Sequence, residues 1–154
     1  MVVSLEDKAD LFGKNWNART NIHEFGGAPA VIYDGVLYFS NISDGRVYQV
    51  EVGKNPIAIT PSTAFSRTKT TSLLNVASEN SNHRLGDFAV NPRDPRWLAG
   101  ILEDHTDNAP SRVKNTLVAV DVLNYRTITL ASGHDFYSNP RFSQDGKLLA
   151  WKQW

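Results

Sequence analysis

Ala28–Val52 reads APAVIYDGVLYFSNISDGRVYQVEV. Two apolar runs, Ala28–Tyr33 and Val36–Ser40, flank Asp34-Gly35. That dipeptide suits the left-handed backbone of a two-residue hairpin turn. A second Asp-Gly pair, Asp44-Gly45, separates the second run from Arg46–Val52. There Val47, Gln49 and Glu51 alternate with Arg46, Tyr48, Val50 and Val52, the two-residue period of a half-buried strand. Ile57–Thr60, after Gly53 and Pro56, reads as a fourth short strand.

The same order recurs downstream. Gly86–Val90 leads through a turn at Asn91–Pro95 into Trp97–Glu103, Thr116–Val122 and Arg126–Leu130. The turn at Leu123-Asn124-Tyr125 is short, which makes the last two strands antiparallel neighbours. A third group opens at Pro140–Phe142, turns at Asp145-Gly146 and continues as Lys147–Trp151. Asp34-Gly35-Val36-Leu37-Tyr38-Phe39, Asp94-Pro95-Arg96-Trp97-Leu98-Ala99 and Asp145-Gly146-Lys147-Leu148-Leu149-Ala150 are copies of one turn-and-strand unit. Their aspartates lie 60 and 51 residues apart. Four-stranded units at about 40–50 residues are the signature of propeller blades. The expected fold is all-β: a partial β-propeller with two complete four-stranded antiparallel blades and the start of a third. An antiparallel sandwich is the alternative.

Residues 1–154 read as one partial propeller domain, with 1–15 as an N-terminal segment. Ser62–Asn82, rich in Ser, Thr and Asn, reads as a long loop, and Leu5–Phe12 is the one weak helical candidate. The chain closes on RFSQDGKLLAWKQW, Arg141–Trp154, a turn and an apolar strand with no partner after it. Exposed apolar edges of that kind are an aggregation hazard, so the sequence reads as a fragment of a longer protein.

Composition narrows the function. Lys and Arg total 16, as do Asp and Glu, so the net charge is zero. That speaks against broad electrostatic binding of nucleic acid or anionic membrane. There is no cysteine, which removes disulfides, thiolate metal sites and a cysteine nucleophile. The acidic residues of MVVSLEDKADLF stand where a signal peptide needs an apolar core. No apolar run has the length of a membrane span. Cytoplasmic localisation is the expectation. Asn41-Ile42-Ser43 is a glycosylation sequon that reads as chance.

Chemistry-bearing residues are few. No G-x-S-x-G nucleophile elbow occurs: Gly26-Gly27 lacks the Ser, and Ala131-Ser132-Gly133-His134 lacks the first Gly. Ser132 and His134 read as an ordinary turn, because a triad draws its members from separate segments. Glu103-Asp104-His105 is the densest polar cluster. Strand alternation puts Glu103 and His105 on one face. With His23 and Glu24 the cluster is a candidate for contacting a peptide, its amine or a metal. The competing reading has these side chains bonding loop backbone and fixing blade geometry. A metal needs three or four convergent ligands, which this pattern does not specify, so no cofactor or metal is expected. Phe25-Gly26-Gly27 reads as structural, its glycines serving positive φ or close backbone approach. Trp16, Trp97, Trp151 and Trp154 read as packing between blades rather than as a ligand-stacking set.

Several stretches resemble the N-terminal propeller of the prolyl oligopeptidase family of serine peptidases (peptidase family S9), most of all its acylaminoacyl-peptidase and dipeptidyl-peptidase-like branch. They are Asn17-Ala18-Arg19-Thr20, His23-Glu24-Phe25-Gly26-Gly27-Ala28, Gly35–Ser40, Ile101–Thr106, Asn115–Asp121, Asp135–Ser143 and Asp145–Trp151. The loop Ser62–Asn82 departs from the family by its length. The resemblance implies a two-domain serine peptidase. Its propeller restricts entry to short peptides, and a C-terminal α/β-hydrolase domain carries Ser, Asp and His. That domain is absent from these residues, so this chain alone is expected to be catalytically silent. The alternative is a non-enzymatic binding or scaffold propeller. A third reading is a small all-β enzyme built on Glu103–His105.

Overall fold

The computed structural model of the chain describes residues 13–61, 82–107 and 109–154. The helical candidate Leu5–Phe12, and the loop Ser62–Asn82 except for Asn82 itself, lie outside the described residues.

Ten strands form three antiparallel sheets. The first contains β1 (Ala30–Tyr33), β2 (Val36–Ser40), β3 (Val47–Glu51) and β4 (Ile57–Ala58), in that order. The second contains β5 (His83–Val90), β6 (Trp97–Asp104), β7 (Lys114–Asp121) and β8 (Arg126–Ser132), again in chain order. β9 (Tyr137–Phe142) and β10 (Leu149–Gln153) pair as a third. The only helical element among the described residues is a 3-10 turn at Pro110–Arg112, and no described helix is long and apolar enough to cross a membrane. The architecture is the all-β, blade-like one that the three repeated units imply.

Each repeat aspartate falls in the same place, the turn between the first and second strands of its sheet. At Asp34-Gly35 both residues have positive φ, 48° and 75°, the geometry that joins two right-twisted strands through two residues. Gly146 also has positive φ, at 67°. Asp94 precedes a proline and uses its carbonyl instead, accepting the Trp97 N–H at 3.0 Å.

Several strand ends differ from the sequence reading. β1 starts two residues late, because Pro29 has no N–H to give to a ladder. Its carbonyl still accepts the Ser40 N–H at 2.9 Å. β5 starts earlier, at His83. β10 is shifted toward the C-terminus, because Lys147 and Leu148 are taken up by a turn in which the Ser143 carbonyl accepts the Gly146 N–H.

The sheets pack face to face. Tyr38, Val47 and Ile59 of the first meet Leu85, Phe88, Leu98, Leu102, Val118 and Val120 of the second in one core cluster. The other face of β6 and β7 sends Ile101 and Leu117 against Tyr137 and Ile22. The remaining face of the first sheet, Leu37, Phe39, Tyr48 and Val50, lies under Trp16 and Ala18. β2 and β3 therefore bury residues on both faces, which is why β3 is more buried than half-and-half alternation requires. Gly100 is required by this packing: a Cβ there would sit 2.9 Å from Cδ1 of Phe88.

The tryptophans do not act as one set. Trp16 packs edge-on against Tyr48 at 4.7 Å and Phe39 at 6.3 Å. Trp97 lies under the Arg96 guanidinium at 5.2 Å. Trp151 and Trp154 are exposed, a correction to the core role expected for them; they stand on the outer strand and terminus of the third sheet. Asn41 is buried, with Oδ1 accepting from Asn17 N–H and Nδ2 donating to Asp44, so the sequon offers no accessible amide.

Candidate functional site

The site begins with a short strained loop. Residues 21–27 turn back on themselves, with the Asn21 carbonyl accepting the Glu24 N–H at 3.1 Å and the Ile22 carbonyl accepting the Gly26 N–H at 2.9 Å. His23 and Glu24 both adopt left-handed backbone, at φ 56° and 62°. Side-chain-bearing residues in sparsely populated regions of this kind cost about 1–3 kcal/mol each and persist only where the surroundings hold them. Three features hold them here. Ile22 is fully buried among Ile101, Leu117 and Tyr137. Glu103 Oε1 accepts the His23 backbone N–H at 2.7 Å. Arg84 Nη1 donates to the Asn21 carbonyl at 3.0 Å and to Glu24 Oε1 at 2.7 Å.

The glycines serve both purposes read from the sequence. Gly26 has φ 79°. At Gly27 a Cβ would lie 2.6 Å from Cγ2 of Ile22 and 3.0 Å from Oδ1 of Asp87.

Glu103 is the centre of the cluster. It is 3% exposed at the end of β6, opposite Arg84 on β5 and Asn115 on β7. Its Oε2 lies 3.1 Å from His105 Nε2, and its Oε1 lies 3.4 Å from His23 Nδ1. The Arg84 guanidinium approaches Oε2 at 3.9 Å. Glu103, His105, His23 and Glu24 thus come together as the sequence suggested.

Asp104 does not join them, because alternation sends it to the other face. There it accepts the Thr106 N–H at 2.9 Å and lies 3.6 Å from His83. Burial pushes its pKa up, but the Thr106 hydrogen bonds and the His83 and Lys114 charges outweigh this and hold the carboxyl below its usual range. Burial of His83 lowers its imidazole pKa, against the pull of Asp104. Glu24 is held low by the Arg84 hydrogen bond and charge.

Beside Glu103 and His105 opens a cleft of about 640 Å³, bounded by the 21–27 loop, the 3-10 turn at Pro110–Arg112 and the β8–β9 connection. Its rims carry Phe25, 96% exposed, and Phe136. Phe136 stacks on Trp154 with ring centroids 5.5 Å apart. Asn115 lies in its wall, donating Nδ2 to the Asp135 carbonyl at 2.6 Å. Among the described residues no three carboxylates or imidazoles are grouped so as to hold a metal ion.

Sequence reasoning missed Arg84, Asn115 and Phe136. Arg84 lay ahead of the strand start that was read, and Asn115 is tied to Glu103 only by cross-strand register, which the loop between β6 and β7 conceals. Ser132 and His134 form no pair of catalytic kind. Ser132 stands opposite Thr116 in the ladder, and His134 Nε2 meets Gln153 Nε2 at 2.9 Å. Among the described residues these two segments bring together no nucleophile and base.

Blade-like sheets in chain order have their counterpart among solved structures. The chain resembles the propeller portion of puromycin hydrolase, a peptidase of the prolyl oligopeptidase family. A puromycin-hydrolyzing peptidase of Mycobacterium tuberculosis matches over 95% of this chain, with 26% identity and a TM-score of 0.71. A crystal structure of puromycin hydrolase matches over 94% with 24% identity and a TM-score of 0.70. A mutant of puromycin hydrolase complexed with PGG matches over 94% with 25% identity and a TM-score of 0.69. The chain spans 22% of the length of each of these structures. No protein-family model and no curated protein matches it.

Proposed function

We propose that the chain is the substrate-gating propeller portion of a serine peptidase of the prolyl oligopeptidase type, in the acylaminoacyl-peptidase and dipeptidyl-peptidase-like branch. The reading is carried by the match to a puromycin-hydrolyzing peptidase over 95% of this chain but only 22% of that one. The chain supplies walls and a peptide-contacting cleft, and a covalently linked α/β-hydrolase domain supplies the Ser, His and Asp. Short peptides are the substrates, and the compartment is the cytoplasm. Equal numbers of acidic and basic residues, 16 of each, favour neither nucleic acid nor an anionic membrane as partner.

The test is made in the source cells. An antibody raised against residues 135–145 should capture a polypeptide that a serine-directed fluorophosphonate labels and that cleaves aminoacyl arylamides. Captured protein that takes no label, with no activity beyond that of beads alone, would overturn the reading in favour of a binding propeller.

A further inference from the structure

We propose that the cleft beside Glu103 binds a basic peptide side chain, arginine in preference to lysine. The inference rests on the peptide-handling function above for the ligand being a peptide; the choice of side chain comes from the cleft itself.

Its lining includes three carboxylates, Glu24, Glu103 and Asp135, and neither a lysine nor an arginine. Glu103 is consumed by the loop: it holds the His23 N–H and the His105 ring. Glu24 gives one oxygen to Arg84. Asp135 is different, because only its backbone carbonyl is engaged, by Asn115, while its side chain meets no partner among the described residues.

A second observation points the same way. Asn115 is 7% exposed, and its Oδ1 has no hydrogen-bond partner. Buried acceptors without a partner are uncommon and call for explanation. His23 Nε2, also in the lining, is likewise unpartnered, and it is an acceptor when the ring proton sits on Nδ1, which lies 3.4 Å from Glu103 Oε1. With that tautomer the unmet capacity around the cleft is on the acceptor side. A guanidinium matches it, with five N–H donors and no acceptor.

The apolar part of the cleft discriminates further. Phe25, Phe136, Pro110 and Val113 present rings and hydrocarbon around the acidic groups. Cations are drawn to aromatic faces, and the planar, weakly hydrated guanidinium stacks on them better than an ammonium does. The two imidazoles of the lining, His23 and His105, both face Glu103, and on adjoining segments Arg84 is paired with Glu24 and Arg112 with Asp107 at 2.8 Å. The pinned loop fixes the backbone that carries Phe25 at the cleft, so the ligand has only the exposed ring left to order there.

The experiment uses the chain and four peptides, read by isothermal titration and by amide shifts in NMR. Acetyl-Gly-Arg-Gly-amide is set against the same peptide with citrulline, which keeps the shape and loses the charge. Acetyl-Gly-Lys-Gly-amide ranks the two basic side chains, and Gly-Gly-Gly-amide with a free amino terminus tests an α-amine as ligand. The arginine peptide should bind saturably, about tenfold or more tighter than citrulline and tighter than lysine. Asp135→Asn and Phe25→Ala, both at exposed positions, should each weaken it severalfold without changing the melting temperature.

Equal binding of arginine and citrulline peptides, binding untouched by both variants, or no binding of any peptide would overturn the proposal. So would preferential binding of the free α-amine. Each of these results stands apart from the peptidase reading, which is decided by fluorophosphonate labelling and not by affinity for the cleft.

Discussion

Replacing Glu103 separates a side chain that holds the fold from one that only decorates it. Glu103→Ala leaves the His23 N–H without its 2.7 Å acceptor and the His105 ring without its 3.1 Å partner, at a position 3% exposed. An unsatisfied buried donor costs about 1–3 kcal/mol, and a hydrogen bond to a charged group contributes about 1.5–3 kcal/mol. These overlap, since the same contact enters both, and a loss of about 3 kcal/mol is expected. For a chain of this size 1 kcal/mol moves the melting temperature by about 2–4 °C, so the expected drop is about 6–12 °C. Glu103→Gln keeps a carbonyl oxygen for His23 N–H, and its amide donates to His105 Nε2 when the ring proton sits on Nδ1. That variant should lose about 1 kcal/mol or less. Thermal unfolding followed by circular dichroism, with Asp104→Ala as a comparison from the opposite face of β6, decides the matter. An alanine variant as stable as the parent, or a glutamine variant as damaged as alanine, would refute the reasoning that Glu103 acts as the acceptor for the loop.

Gly100→Ala should cost about 1–3 kcal/mol through overpacking, since its Cβ would fall 2.9 Å from the Phe88 ring and 3.2 Å from the Gly86 carbonyl; urea unfolding measures it. Phe39→Ala, which removes a fully buried ring from beneath Trp16, should cost about 3–5 kcal/mol and redden the tryptophan emission. Acidification should destabilise the chain in two stages. His83 has its pKa lowered from 6.5 by burial, so the unfolded chain takes up a proton there before the folded one does. That stabilisation is complete above about pH 6.5 and declines as the pH falls toward the lowered value, a slope in the urea midpoint that His83→Gln should flatten. Asp121 is held far below the ordinary aspartate range, first by the Arg96 hydrogen bond and then by Asn124 and Arg126, against its burial; its contribution is complete above about pH 4 and declines as the pH falls below that, so Asp121→Asn should lower the melting temperature most at neutral pH.

How far the fold could be read in advance depended on where the local signals were. Asp34-Gly35 carries its turn in two residues, and the run after it, like the run after Asp94-Pro95, is apolar on both faces, so β2 and β6 are legible from local pattern. β5 was cut short because His83-Arg84 looks like loop: its polar start faces Asp104 and Glu103 across the ladder, a relation between segments that no local pattern contains. The same limit applies to the site. Glu103 and His105 were placed on one face by alternation alone, and Asp104 fell to the other for the same reason. Arg84, Asn115 and Phe136 reach the cleft only through register and through the packing of the third sheet on the second. Trp151 and Trp154 misled because hydrophobicity implies burial on average, while in this chain they lie exposed on the third sheet.

The glycines at 26 and 27 acquire their full meaning only from the neighbouring sheet. Counted back from its repeat aspartate, Gly27 occupies the place in the first unit that Asp87 occupies in the second, and Asn139 lies within one residue of that place in the third. Asp87 and Asn139 both have left-handed backbone, at φ 53° and 51°, and the ladder slips beside each. Asp87 uses the irregularity to turn its carboxylate across the sheets, accepting the Ala28 N–H at 3.0 Å from the first and the Asn139 N–H at 3.4 Å from the third. The space for that carboxylate is the space that a Cβ on Gly27 would fill. One acid of β5 therefore ties the segment leading into β1 to β9, and one glycine makes room for it. The same glycine ends the strained loop that places His23, Glu24 and Phe25 at the cleft. Asp87→Ala should thus do more than lower stability. It should loosen the loop itself, and hydrogen exchange at the His23 and Ala28 amides should accelerate together, whereas a contact confined to the Ala28 amide would leave His23 protected.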